Sequence, residues 1–172
     1  MTRQAGSTTN IDTGASPGRG AEVAALVAAL GLGDGQVIGT LHAHGLRAET
    51  SPVLEWIPAV DVCWLDGADT AERHALRVQF AADDRSTPAG VALLDAWLTS
   101  RPPAALFDAS RRALRSALRL LEPPEREESI DRIVARCEAA GRAAGADFGV
   151  GAISTGERDR IGELRRDLER AD

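Results

Sequence analysis

Prolines and glycines cut this chain into short apolar segments with helical rather than strand period, and that punctuation is the strongest constraint on its fold. Val23, Leu26, Val27 and Leu30 recur at helical spacing until Gly31, Gly33 and Gly35 stop the run. Ser51-Pro52 reads as an N-cap followed by proline at the first helical position, opening a helix to about Leu65 that Pro58 is placed to kink. Asp66-Gly67 ends it, and Asp69-Thr70-Ala71-Glu72 has the spacing of a capping box leading into Ala75, Leu76 and Phe80. Pro88 starts a further helix with Val91, Leu94, Trp97 and Leu98, and Pro102-Pro103 closes it. Leu106, Phe107, Leu114, Leu118 and Leu121 mark the next stripe, which Pro123-Pro124 breaks. Ile130, Ile133, Val134 and Cys137 carry a longer helix to about Gly145, and Ile161, Leu164 and Leu168 belong to the last. The pattern predicts an all-α, compact bundle of about seven helices. The stretch Gln36 to Leu46 alternates weakly and reads as strand or loop. Residues 1–20, poor in large apolar side chains, read as a disordered tail, 21–50 as a short helix and loop leading in, and 51–172 as the helical domain.

Composition narrows the function classes. The 172 residues, 44% hydrophobic and 27% charged, suit one domain; the alanine-rich usage with three Trp, three Phe and no Tyr favours helix over a β-sandwich. A net charge of -6 argues against a nucleic-acid binder and leaves cations and an unidentified protein as partners. Cys63 and Cys137 sit in apolar helical patterns without CxxC spacing and read as reduced core residues, which points to the cytoplasm. Residues 1–20 contain no apolar leader run, and no stretch has the roughly 18 to 20 apolar residues of a bilayer span, so no membrane insertion is expected. The oligomeric state is left open.

The two halves of the chain echo each other. Leu65-Asp66-Gly67-Ala68-Asp69-Thr70-Ala71-Glu72-Arg73 parallels Ala146-Asp147-Phe148-Gly149, followed after an insertion by Ile153-Ser154-Thr155-Gly156-Glu157-Arg158. In each, an acid ends one helix and a capping box starts the next, as in a duplicated unit with two pseudo-symmetric halves. In Trp56 to Glu72 (WIPAVDVCWLDGADTAE), and in the glycine-rich turn of Ala143 to Glu157 before a final amphipathic helix, the chain resembles the TerB-like family of tellurite-resistance-type helical domains. The resemblance runs from about Val53 to Leu168. It implies an all-helical fold, no enzymatic activity, a role in stress response, and a divalent metal bound by acids near helix starts. Carried over by position, those acids are Asp66, Asp69 and Glu72 in the first half and Asp147 and Glu157 in the second. The second half departs from the pattern, with Asp147-Phe148-Gly149-Val150-Gly151 in place of a compact Asp-Gly turn and Ser154 in place of an acid at the cap.

The same residues admit a plainer reading. Three carboxylates from Asp66 to Glu72 suit a hard ion such as Ca²⁺, Mg²⁺ or Mn²⁺, yet Asp69 as N-cap and Glu72 reaching back to it need no ion. The alternative function is then a helical protein-protein interaction module with no metal, working through an arginine stripe (Arg111, Arg112, Arg115, Arg119) or a groove lined by Trp97. That stripe is expected to pair with Glu125, Glu127, Glu128 and Asp131 across the Pro123-Pro124 turn, while a phosphate site is the competing reading. Asp61, inside the most apolar helix, demands a partner, with arginine expected; Glu55 reads as solvated. His42 and His44 form an HxH pair that would share one side on a strand and could ligate zinc. No catalytic nucleophile with a paired base is recognisable, and no histidine follows a glutamate by three as a dimetal four-helix enzyme requires.

Overall fold

In the computed structural model, which describes residues 17–144 and 153–170, eight α-helices follow one another: α1 (Pro17–Leu30), α2 (Gly35–Ala43), α3 (Ile57–Cys63), α4 (Thr70–Ala81), α5 (Pro88–Thr99), α6 (Ala104–Leu118), α7 (Pro123–Ala144) and α8 (Thr155–Glu169). A 3-10 stretch, Ala48–Trp56, leads into α3. Among the described residues there is no strand, and no single helix is long and apolar enough to cross a membrane.

The segment read as one helix from Ser51 to Leu65 is two pieces. Pro52 falls within the 3-10 stretch and Pro58 at the second position of α3, where a missing N–H removes no helical hydrogen bond. All seven residues of α3 are buried, as its all-round apolar pattern implied. The helix is wrapped by α7, α6, α8 and the 3-10 stretch, while α4 packs chiefly on α7 and α5 on the 3-10 stretch and α4. Trp56 and Phe80 meet edge to face with centroids 5.4 Å apart in this core. Leu94, Leu98, Leu106, Leu114, Ile130, Ile133, Ile161, Leu164 and Leu168 all turn inward on their expected faces.

The eighth helix is α2, in the stretch read as strand or loop. Asp34 caps it, its Oδ1 accepting from the N–H groups of Gln36 at 2.9 Å and Val37 at 3.1 Å, and Val37, Ile38 and Leu41 are buried at helical spacing. Three apolar positions in so short a run fit a helical face as well as an alternating one; only the surface offered by α6 decides between them. The first helix also starts earlier than read, at Pro17 instead of Ala21, with proline again at the first helical position.

Two outward readings change with the packing. Glu55 is not simply solvated: it accepts two hydrogen bonds from Arg85 at 2.9 Å each and one from Arg136 at 2.7 Å, while Arg136 also reaches Asp83 at 3.1 Å and lies 4.4 Å over the Trp56 ring. Trp97 lines no groove. It is buried, and its carbonyl accepts from the Trp64 indole N–H at 2.9 Å.

Candidate metal centre

The Asp66-Gly67-Ala68-Asp69 turn joins α3 to α4 by backbone that few sequences adopt. Gly67 has φ +111° and Ala68 φ +32°, and the Ala68 N–H closes the turn on the Cys63 carbonyl at 2.5 Å. Glycine supplies the first of these conformations without strain, so the Asp-Gly pair sets how Asp66 leaves α3. Asp69 then caps α4: its Oδ1 accepts from the Glu72 N–H at 2.8 Å, and the Asp69 N–H donates back to Glu72 Oε2 at 2.8 Å. The start of α8 repeats this device. Ser154 N–H donates to Glu157 Oε2 at 2.7 Å, and Glu157 N–H donates to Ser154 Oγ at 3.2 Å.

The two boxes face each other because α4 and α8 both pack on α7. Each glutamate uses Oε2 on its own cap. The other oxygen, Oε1, is buried in both residues and accepts no hydrogen bond. Glu72 is 1% and Glu157 2% exposed, and with the exposed Asp66 they bring one carboxylate oxygen apiece within 4.8 Å of one another. Burial, with the negative charges of Asp69, Glu157 and Asp66 around it, pushes the Glu72 carboxyl up to about 8 against the opposing pull of the Asp69 N–H. These are the electrostatics of a cluster short of positive charge.

Of the acids assigned by sequence, the structure thus brings together Asp66, Glu72 and Glu157. Asp69 stands beside them as an N-cap with one oxygen committed to the helix start, and Asp147 lies outside the described residues. His42 and His44 do not share a side. They sit at the end of α2, where residues two apart diverge around the helix, and His42 Nε2 is 3.1 Å from Glu22 Oε2. Cys63 and Cys137 are free and buried; burial raises the Cys63 thiol and pushes Cys137 up to about 12, so neither presents a thiolate. Asp61 has its arginine: Arg160 donates to Oδ2 from Nη2 at 2.6 Å and from Nε at 3.1 Å.

One residue of the site escaped the sequence reading. Gly141 lies within α7, and a Cβ there would come 2.9 Å from Glu157 Oε1 and 3.2 Å from its Cδ. Glycine in a helix interior is about 1 kcal/mol worse than alanine, which is the signal that could have flagged it. The Glu157 carboxylate cannot simply swing aside, because Ser154 pins its other oxygen. Gly141→Ala is therefore expected to blunt any cation response of the protein although no ligand is removed, with helix propensity and crowding offsetting each other to within about 2 kcal/mol in stability. Thermal melts of the variant with and without cation check this; an undiminished response would show that the space beneath Glu157 is not needed.

No protein-family model, no curated protein and no solved structure matches this chain.

Proposed function

We propose that the chain is a TerB-like, non-enzymatic helical protein of the cytoplasm that holds a divalent cation between the starts of α4 and α8, in a stress response of the tellurite-resistance type. The observation that carries this reading is the pair of buried Oε1 atoms on Glu72 and Glu157, each without a hydrogen bond, on two glutamates whose carboxylates cluster with that of Asp66. Buried polar atoms are almost always satisfied, and two carboxylates side by side are satisfied by a shared proton or by a cation. A cation answers all three acids at once. Oxygen-only ligands select a hard ion, Ca²⁺, Mg²⁺ or Mn²⁺, over a thiolate-seeking one.

The test is thermal unfolding of the metal-stripped protein with Mg²⁺, Ca²⁺, Mn²⁺ and Zn²⁺ in turn. An ion binding only the native state at about 100 times its dissociation constant adds about 2.7 kcal/mol, or about 5 to 10 °C for a domain of this size. That rise is expected with a hard ion and is lost in the double variant Asp66→Asn, Glu72→Gln. If no ion moves the transition, the carboxylates only cap helices, and the interaction-module reading without metal takes its place.

A further inference from the structure

The arginine stripe of α6 does not meet the acids of α7. Arg111, Arg112 and Arg115 face α8, and the two helices enclose an open concavity of about 670 Å³ lined by these three with Arg160, Arg166 and Arg170. Three carboxylates also line it, Asp108, Glu163 and Asp167. They are already used: Asp108 pairs with Arg111 at 2.5 Å, Asp167 with Arg115 at 2.8 Å, and Glu163 with Arg160 at 3.4 Å. For Arg112, Arg166 and Arg170 no carboxylate among the described residues lies within ion-pair distance; Arg112 reaches only the Asp108 carbonyl, at 3.5 Å. Three guanidinium groups with no ion-pair partner among the described residues are thus gathered into one hollow on a chain whose net charge is -6. A concave wall with an excess of one sign of charge focuses its field inward, and an anion that enters relieves the repulsion among the unpaired groups.

We propose that this groove binds a small anion carrying two or more phosphate groups. The guanidinium fork matches phosphate oxygens bidentately, and the ion pairs of Arg111, Arg115 and Arg160 hold the walls while the other three cations remain available. Leu164 is the one apolar side chain of the lining, so the hollow offers no apolar pockets for the side chains of a peptide. The groove shares no residue with the acid cluster and stands independently of the cation proposal.

Calorimetric titration of the full chain, metal-stripped and with chelator present, tests it with tripolyphosphate, adenosine triphosphate and sulfate at matched ionic strength. Tripolyphosphate is expected to bind at least about tenfold more tightly than sulfate, and the variant Arg112→Gln, Arg166→Gln, Arg170→Gln to lose at least about tenfold, since tenfold corresponds to about 1.4 kcal/mol. These side chains are exposed, so the variant keeps its fold, which its melting curve verifies. Arg142→Gln, outside the groove, is expected to bind as the parent does. Equal affinity for the two phosphate compounds assigns the site to the oligophosphate itself, and tighter binding of the nucleotide assigns it to a nucleoside phosphate. No binding of tripolyphosphate, binding no tighter than sulfate, or unchanged binding in the triple variant overturns the proposal.

Discussion

Glu72→Gln is expected to stabilise the metal-stripped protein at pH 8 by about 3 to 4 kcal/mol while removing its response to cations. The sign follows from the native carboxyl lying at about 8 against an ordinary value of 4.5. Above pH 4.5 the unfolded chain releases this proton while the native state keeps it, so the native state binds more protons and stability falls as pH rises, levelling off above about 8. Each pH unit of that interval is worth about 1.4 kcal/mol, which sets a ceiling of about 5 kcal/mol. Glutamine still accepts from the Asp69 N–H, as capping boxes allow, but its neutral oxygen is a weaker acceptor by about 1 kcal/mol. Denaturant melts of parent and variant between pH 4.5 and 8.5 provide the comparison. The parent should lose stability across that range and the variant should not. Two curves that run parallel would mean that Glu72 carries no excess proton and that the cluster is not short of positive charge.

The second large effect concerns Arg136. It is 8% exposed, bridges Glu55 and Asp83, and stacks on Trp56. Arg136→Ala leaves the Glu55 and Asp83 carboxylates to Arg85 and to the more distant Arg132, 4.0 Å from Glu55, and opens the face of an indole in the core; about 3 to 5 kcal/mol of stability should be lost. Lysine would recover little of it, because an ammonium cannot fork to two acids and lie flat on the ring. A pH signature accompanies the loss. Burial pulls the Glu55 pKa upward, but the hydrogen bonds from Arg85 and Arg136 outweigh it and hold the carboxyl at about 2. This depressed native value contributes stability that is fully present above about pH 4.5 and is lost as pH falls toward about 2. Without Arg136 the acid transition should therefore begin at higher pH. Acid titration of both proteins followed by far-ultraviolet circular dichroism gives the measurement, and coincident acid transitions would show that the bridge holds no charge in place.

The partition of the site between sequence and structure has a physical basis. Asp-Gly at residues 66–67 and the Asp69–Glu72 and Ser154–Glu157 boxes are local devices, each made by atoms within five residues of one another, and all three were legible. The burial of Glu72 and Glu157 was not. Each glutamate satisfies its own helix start with Oε2; what happens to Oε1 depends on α7 holding two helix starts, 85 positions apart in the chain, against each other. Gly141 likewise has no local role, and its reason is the carboxylate that lies over it.

The same division runs through the fold. The all-α class, the helix start at Pro88, the break at Pro123-Pro124 and the inward faces of α4 to α8 were legible in the sequence, because period, capping and proline geometry act over a few residues; that the proline pair also opens α7 was not. Tertiary structure alone decided that Gln36 to Ala43 is helical, that Glu55 joins a half-buried ion network, that Trp97 belongs to the core, and that the arginines of α6 look toward α8 instead of α7. Each of these depends on which surface a second element presents. A helical pattern states which face must be covered; what covers it, and hence which charges end up together, is settled only when the helices pack.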